Sequence, residues 1–282
     1  MEQINQPAND PTPRPRLGVW ATVGEAYAIW FANLRLWLKL SIVPAIVLIG
    51  LYALAPSFLP DPISVSADDM GFGGMLTFTI FYIIVFLAEI PLVTAWHRVV
   101  LTRDDAASLR YQVGHREWRY LIKVLLIVLY LCLAILAVGA VMSLLFILPF
   151  GAGSDGALTL SPSVAEAMYS IAFLGTYGLI FRFIGHLCLE LPAAATGASL
   201  SRKEARTALK SNEWRLVSII LLSLVPMLLA EFAVQIWSAD GSAIVGMRDL
   251  LAYILYFIFT PVVVGVLSIA YRELVETPAA AD

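Results

Sequence analysis

Charged residues are scarce in this sequence, and their scarcity excludes a water-soluble globule of ordinary composition. Asp, Glu, Lys and Arg make up 14% of the 282 residues, whereas apolar residues make up 60%. The mean hydropathy is +0.83. A soluble domain carries about 25% charged residues. The polar surface available here is too small to cover a globule in water, so the composition predicts a membrane protein.

Cysteine and histidine are also rare, which disfavours a disulfide framework and a closed zinc site. The two cysteines, Cys132 and Cys188, fall inside apolar segments, where small packing residues are expected and a disulfide framework is not. Only three histidines occur, at His97, His115 and His186, which disfavours a closed zinc site. Nucleotide-binding loops, hydrolase elbows and metalloprotease helix motifs are absent from the sequence. We therefore expect no metal, no cofactor and no enzymatic activity.

Lysine and arginine are missing from three long stretches, and this pattern predicts a topology. Neither residue occurs in 40–97, 124–181 or 216–247. Of the 18 lysines and arginines, all but Arg182 and Arg248 fall on one predicted side of the membrane. Basic residues mark the cytoplasmic side of membrane proteins, so both termini are predicted to be cytoplasmic.

Six apolar segments are each long enough to cross a bilayer, since a helical span needs about 20 residues. Backbone amides in lipid must bond within their own segment, which favours helices. The predicted spans are Leu40–Leu59, Met75–Trp96, Leu121–Phe150, Ala167–Leu189, Leu216–Trp237 and Leu250–Tyr271. The fold class is thus an all-α membrane protein with six transmembrane helices. One membrane domain over 17–275 is expected, between disordered cytoplasmic tails at 1–16 and 276–282.

The cytoplasmic connections resemble one another, which predicts a threefold pseudo-repeat of an amphipathic helix followed by a transmembrane hairpin. Two connections carry a capping-box pair and then an asparagine: Thr22, Glu25 and Asn33 in the first, and Ser201, Glu204 and Asn212 in the third. The middle connection is a looser copy, with Thr102 and Asp105 at cap spacing and Glu-Trp-Arg at 117–119 matching 213–215. The amphipathic segments either lie in the headgroup plane or pack on the bundle, and the sequence leaves both open.

Aromatic and basic residues at the span ends are predicted to be interfacial anchors. Tryptophan prefers the headgroup region, and arginine extends toward lipid phosphate. The residues of this kind are Trp37, Trp96, Arg98, Trp118, Arg119, Trp214 and Arg215. They are expected to fix the depth of the helices in the membrane.

Ionisable residues within the spans are the candidate site, because charges inside a membrane are costly. Arg182, His186 and Glu190 recur every four residues and share one helix face. Glu89 holds a matching position in the second span, also two residues before a proline. We predict an inner-leaflet polar cluster in which Arg182 neutralises Glu89 or Glu190. Such a cluster would bind a lipid phosphate or pass protons, but we favour the plainer alternative of an ion pair between helix ends.

Several short motifs resemble those of a bacterial family of integral membrane proteins. They are Trp96-His97-Arg98 after the second span, Leu-Pro-Ala at 191–193 followed by a helix ending in Trp-Arg-Leu at 214–216, and Tyr271-Arg272-Glu273 at the close of the last span. Over roughly 17–275 the chain resembles the membrane domain found beside glycerophosphodiester phosphodiesterases, and the related YciC-like inner-membrane proteins. The resemblance implies a bacterial inner membrane. It does not carry the hydrolase activity, which belongs to a separate soluble barrel.

These observations predict a non-enzymatic multi-pass inner-membrane protein with a structural, partner-binding or lipid-interacting role. The alternative is a transporter or lipid-translocating channel that uses the inner-leaflet cluster. The repeats share one orientation and their proline–acid pairs lie toward the cytoplasm, which disfavours an ion-coupled transporter. Membrane lipids and a protein in the membrane are the expected partners, and nucleic acid is not.

Overall fold

A computed structural model describes residues 16–58, 72–102, 113–150, 175–176, 178–238 and 245–276 of the protein. Within these ranges the chain is helical and contains no strand. Residues 1–15 and 277–282 of the predicted tails lie outside the described residues, as do Asp105 and most of the loops predicted to face outward, at 60–74, 151–164 and 238–249.

Six helical segments are long and apolar enough to cross a membrane, and each overlaps one predicted span. The described helices are α1 (Val19–Ala32), α2 (Leu34–Phe58), α3 (Phe72–Thr102), α4 (His115–Phe150), α5 (178–188), α6 (Glu190–Thr196), α7 (Arg202–Leu209), α8 (Glu213–Ser238) and α9 (Val245–Tyr271), followed by a π-helical turn at Arg272–Glu276. Helices α5 and α6 together form one span, with a turn at Leu189 between them. The prediction of six apolar helices is confirmed, and the chain is a multi-pass membrane protein.

The buried core lies at one end of the helix bundle. The main cluster joins α1, the start of α2, the end of α3, the start of α4, α6, the start of α8 and the end of α9. We call this the basic end, because Arg98, Arg119, Arg215 and Arg272 also lie there. Away from it the spans expose large apolar side chains, such as Leu133 at 54%. Lipid tails are as apolar as these side chains, so a bilayer covers them without the penalty that water would impose.

Helix α1 packs against the bundle, which is one of the two arrangements that the sequence leaves open. Its buried face carries Thr22, Val23, Ala26 and Trp30 and contacts α8 and α9. A Cβ atom built on Gly265 of α9 would lie 3.3 Å from the Cβ of Ala26. The absence of a side chain at Gly265 therefore permits the close approach of the two helices.

The capping-box prediction is confirmed for α7. The Ser201 hydroxyl accepts from the Glu204 amide at 3.2 Å, and the Glu204 carboxylate accepts from the Ser201 amide at 2.8 Å. The bonds from Ser201 hold the pKa of Glu204 below its usual value, because they stabilise the charged form. This contribution to the cap is present at neutral pH and is lost as pH falls through the folded-state pKa of Glu204.

The same prediction is wrong for α1. The helix begins at Val19 with Gly18 as its N-cap, so Thr22 lies inside the helix and is fully buried. Glu25 does not cap α1, and its carboxylate instead accepts from Arg272 at 2.7 Å. Packing against α8 and α9 outweighs the local capping signal.

Candidate functional site

Glu190 is buried at the basic end and forms an ion pair with Lys123 of α4. Its side chain is only 3% exposed, whereas that of Lys123 is 37% exposed. The predicted pairing of Glu190 with Arg182 is therefore corrected. Glu190 begins α6, and the packing of α6 on α4 brings Lys123 to its carboxylate.

Two other members of the predicted cluster, Glu89 and Arg182, contact aromatic side chains. Glu89 of α3 accepts a hydrogen bond from the Tyr256 hydroxyl at 3.3 Å. Arg182 of α5 is exposed, and its guanidinium lies 5.3 Å from the centre of the Trp214 ring. His186 is half-buried, one turn before Glu190. The structure thus places Arg182 in a cation–π contact at the helix surface and Glu89 beside Tyr256, while His186 lies near Glu190.

A pocket of about 340 Å³ opens beside the Glu190–Lys123 pair. Helix α4 supplies Arg119 and Lys123, and α6 supplies Glu190 with two alanines. The segment 198–201 and Glu204 of α7 close the remaining side. Ligand pockets typically enclose about 300–1,000 Å³, so this one suits a small polar group better than a whole lipid.

The local sequence explains how α6 and the following turn form this pocket. Pro192 lies in the first turn of α6, where a missing backbone N–H is tolerated. The small residues Ala193–Ala195 are buried and let α6 approach α3 and α4 closely. Gly197 ends α6 at φ +86°, a left-handed conformation that favours glycine. This turn carries the chain directly into the wall formed by 198–201.

The pocket contains hydrogen-bond donors and a hydrogen-bond acceptor that its own residues do not use. Arg119 donates to the carbonyls of Gly197 and Ala198 at 3.4 and 3.3 Å, and a guanidinium has five N–H groups in all. Lys123 has three N–H groups, one of which faces Glu190. The Glu190 Oε1 atom is buried and has no hydrogen-bond partner among the described residues. The arrangement therefore offers spare donors on its cations and a spare acceptor on its carboxylate.

Sequence reasoning missed Lys123 as a site residue, although a signal for it exists. Lys123 lies four residues after Arg119, so both side chains fall on one face of α4. A lysine a few residues into an otherwise apolar span is unusual, because a charge there needs a partner or a path to the interface.

Two of the predicted interfacial anchors are core residues. Trp37 is 2% exposed and Trp96 is fully buried. Pro261 in α9 has no N–H to bond the carbonyl of Phe257, and the Trp37 indole donates to that carbonyl at 3.1 Å. The Trp96 indole donates to the carbonyl of Pro261 itself at 2.8 Å. Both tryptophans are thus held by backbone groups around a proline inside a helix, and their assignment to the interface is corrected.

The remaining predicted anchors fall into two groups. Trp118 and Trp214 are 59% and 50% exposed, and their contact with headgroups stays a prediction. Arg98 is half-buried in the last turns of α3. Arg119 and Arg215 instead donate to backbone carbonyls, Arg215 to that of Leu17 at 2.8 Å. These two arginines hold protein segments together.

His97 joins three spans inside the core. It is fully buried, with Nδ1 2.7 Å from the Ser268 hydroxyl of α9 and Nε2 3.3 Å from the Tyr120 hydroxyl of α4. A neutral imidazole provides one donor and one acceptor, which matches two hydroxyl partners. The histidine of the Trp-His-Arg motif therefore fixes the packing of α3, α4 and α9.

The pocket beside the Glu190–Lys123 pair is the candidate site of this protein. Among the described residues, no group of three or more His, Cys, Asp or Glu side chains is placed to hold a metal ion. Comparison with protein families, with characterised proteins and with solved structures finds no match to this chain.

Proposed function

We propose that this protein is a non-enzymatic multi-pass protein of the bacterial inner membrane that binds the polar headgroup of a membrane lipid at its basic end. The observation that carries the proposal is the pocket beside the Glu190–Lys123 pair. Arg119 and Lys123 both line it and both retain N–H groups that suit a phosphate. The pocket volume of about 340 Å³ fits a headgroup.

The position of the pocket supports a lipid as the source of that phosphate. On α4, Trp118 and Ile122 are 59% and 46% exposed and directly precede Arg119 and Lys123 in the sequence. Apolar side chains exposed on a span face lipid, and tryptophan prefers the headgroup level. The basic lining of the pocket therefore begins where the lipid-facing surface of α4 meets the headgroups.

The proposal also includes the orientation of the chain in the membrane and its internal repeat. Basic residues concentrate at one end of the spans, which supports a cytoplasmic location for that end and for both termini.

Asn33 and Asn212 precede α2 and α8, and their carbonyls accept from the amides of Trp37 and Leu216 at 3.0 and 2.9 Å. This likeness supports the first and third copies of the predicted threefold pseudo-repeat. The resemblance to the phosphodiesterase-associated and YciC-like membrane proteins rests on the short motifs alone.

The orientation predicts which introduced cysteines react with a membrane-impermeant maleimide. In a background lacking Cys132 and Cys188, Gln3→Cys and Ala281→Cys should be labelled only after the membrane is permeabilised. Asp155→Cys should be labelled in intact spheroplasts, because it lies in a predicted outward loop. Labelling of Gln3→Cys in intact spheroplasts would contradict the proposed orientation.

Headgroup binding predicts that Arg119→Gln lowers the amount of phospholipid that remains bound in mild detergent. A hydrogen bond to a charged group contributes about 1.5–3 kcal/mol, so the retained fraction should fall by roughly tenfold or more. Native mass spectrometry measures this fraction directly. Arg35→Gln is the matched control, because Arg35 is exposed near the start of α2 and does not line the pocket. Equal loss of lipid from both variants would show non-specific retention and would refute the proposed site.

A further inference from the structure

We infer that the ligand of this pocket carries a primary ammonium group as well as a phosphate, the chemistry of ethanolamine-type headgroups. The inference rests on the proposed function and narrows its ligand class. It depends on three features of the pocket: its balanced charge, the buried carboxylate oxygen of Glu190, and the commitment of the second carboxylate to a helix cap.

The first feature is the charge balance of the lining. Arg119 and Lys123 contribute two positive charges, and Glu190 and Glu204 contribute two negative ones. A purely anionic ligand would meet two carboxylates in addition to the two cations. A zwitterionic ligand places its phosphate near the cations and its ammonium near a carboxylate, so both charges find complementary partners.

The second feature is the unpaired oxygen of Glu190. Lys123 bonds Oε2 of this carboxylate, and Oε1 is buried without a partner among the residues the structure describes. An unsatisfied buried acceptor destabilises a protein by about 1–3 kcal/mol, and by more when it is charged. Glu190 lines the pocket. A ligand N–H directed at Oε1 would supply the missing hydrogen bond.

The third feature assigns the ammonium to Glu190 alone. The carboxylate of Glu204 accepts from the Ser201 amide in the α7 cap, and the Ser201 hydroxyl accepts from the Glu204 amide. Glu204 is also exposed, so water can satisfy its remaining carboxylate oxygen, whereas Oε1 of Glu190 is buried without a partner among the described residues. A primary ammonium has three N–H donors, and a quaternary trimethylammonium has none. The pocket should therefore distinguish ethanolamine from choline, although both headgroups are zwitterionic.

The test compares three lipids that share the phosphate and differ in the attached group. The full-length protein is placed in nanodiscs with equal amounts of phosphatidylethanolamine, phosphatidylcholine and phosphatidylglycerol, and the co-purifying lipids are quantified by native mass spectrometry. Glu190→Gln removes the negative charge at nearly constant shape. Glu89→Gln is the matched control, since Glu89 is also a carboxylate within a span and lies outside the pocket. Thermal melts of all three proteins check that each is folded.

We expect phosphatidylethanolamine to be enriched about tenfold over each of the other two lipids, the effect of one charge-assisted hydrogen bond. The enrichment should persist in Glu89→Gln and disappear in Glu190→Gln. Equal retention of all three lipids by the wild-type protein, still sensitive to Arg119→Gln, would overturn the ammonium inference and leave the proposed function standing. An enrichment that survives in Glu190→Gln would overturn the assignment to this carboxylate.

A separate arm distinguishes a lipid from a soluble source of the same chemistry. Free O-phosphoethanolamine is titrated against the detergent-purified protein and its Glu190→Gln variant by calorimetry. Glu190-dependent binding of the free compound, with no lipid retained in the nanodiscs, would refute lipid binding while supporting the ligand chemistry. Absence of binding in both arms would refute the proposed function and the inference together.

Discussion

Replacing Trp96 with alanine is expected to destabilise the protein by about 3–5 kcal/mol, the range found for truncating large buried aromatic side chains. Trp96 is fully buried at the basic end, and its ring packs edge-on against that of Trp37 with centroids 5.2 Å apart. The substitution removes this packing and the donor to the Pro261 carbonyl. The cavity left by the ring and the unpaired carbonyl of Pro261 both lower the free energy of unfolding.

Equilibrium unfolding in mixed micelles measures the effect of Trp96→Ala. Trp118→Ala is the matched control, because Trp118 also stands at a span end beside an arginine but is 59% exposed. Its free energy of unfolding should change by no more than about 0.5 kcal/mol, as for most surface substitutions. Trp96→Phe should fall between the two, since it keeps an aromatic ring and loses the N–H donor. Similar effects of the two alanine variants would contradict a core concentrated at the basic end.

The contrast between these two tryptophans shows what could be predicted from the sequence. The six spans were predictable because a bilayer imposes its length requirement on each segment separately. Whether each tryptophan is buried or exposed was not predictable, because this depends on which neighbouring helix presents a free hydrogen-bond acceptor. Trp96 meets Pro261, which is 165 residues away in the sequence. A local pattern contains no information about that distance.

The candidate site was likewise only partly predictable from the sequence. Glu190 was predictable as a site residue, since an acid within a span is unusual and needs a partner. Its partner was not, because regular helical spacing pointed to Arg182 on the same span. The packing of α6 on α4 brings Lys123 to the carboxylate instead. Long-range packing of this kind cannot be inferred from the periodicity of one span.

Replacing Lys123 with methionine is expected to destabilise the protein by about 3 kcal/mol, the lower part of the range for removing one partner of a buried ion pair. The lower value applies because Lys123 is 37% exposed, although Glu190 is 3% exposed. The methionine leaves the Glu190 carboxylate buried without its cation. Lys39→Met is the matched control, since Lys39 is an exposed lysine in α2 outside the pocket. Its effect should stay within about 0.5 kcal/mol.

The double variant Lys123→Met/Glu190→Leu separates stability from ligand binding. Replacing both charged partners by apolar groups is often neutral or stabilising, so the double variant should recover most of the stability lost in Lys123→Met. If it stays as unstable as the single variant, packing around Lys123 and not the charge pair is responsible. A stable double variant should still fail to retain phosphatidylethanolamine, because only Arg119 remains of the three groups proposed to contact the headgroup. Folding without lipid retention would mean that this ion pair contributes to ligand binding more than to the stability of the bundle.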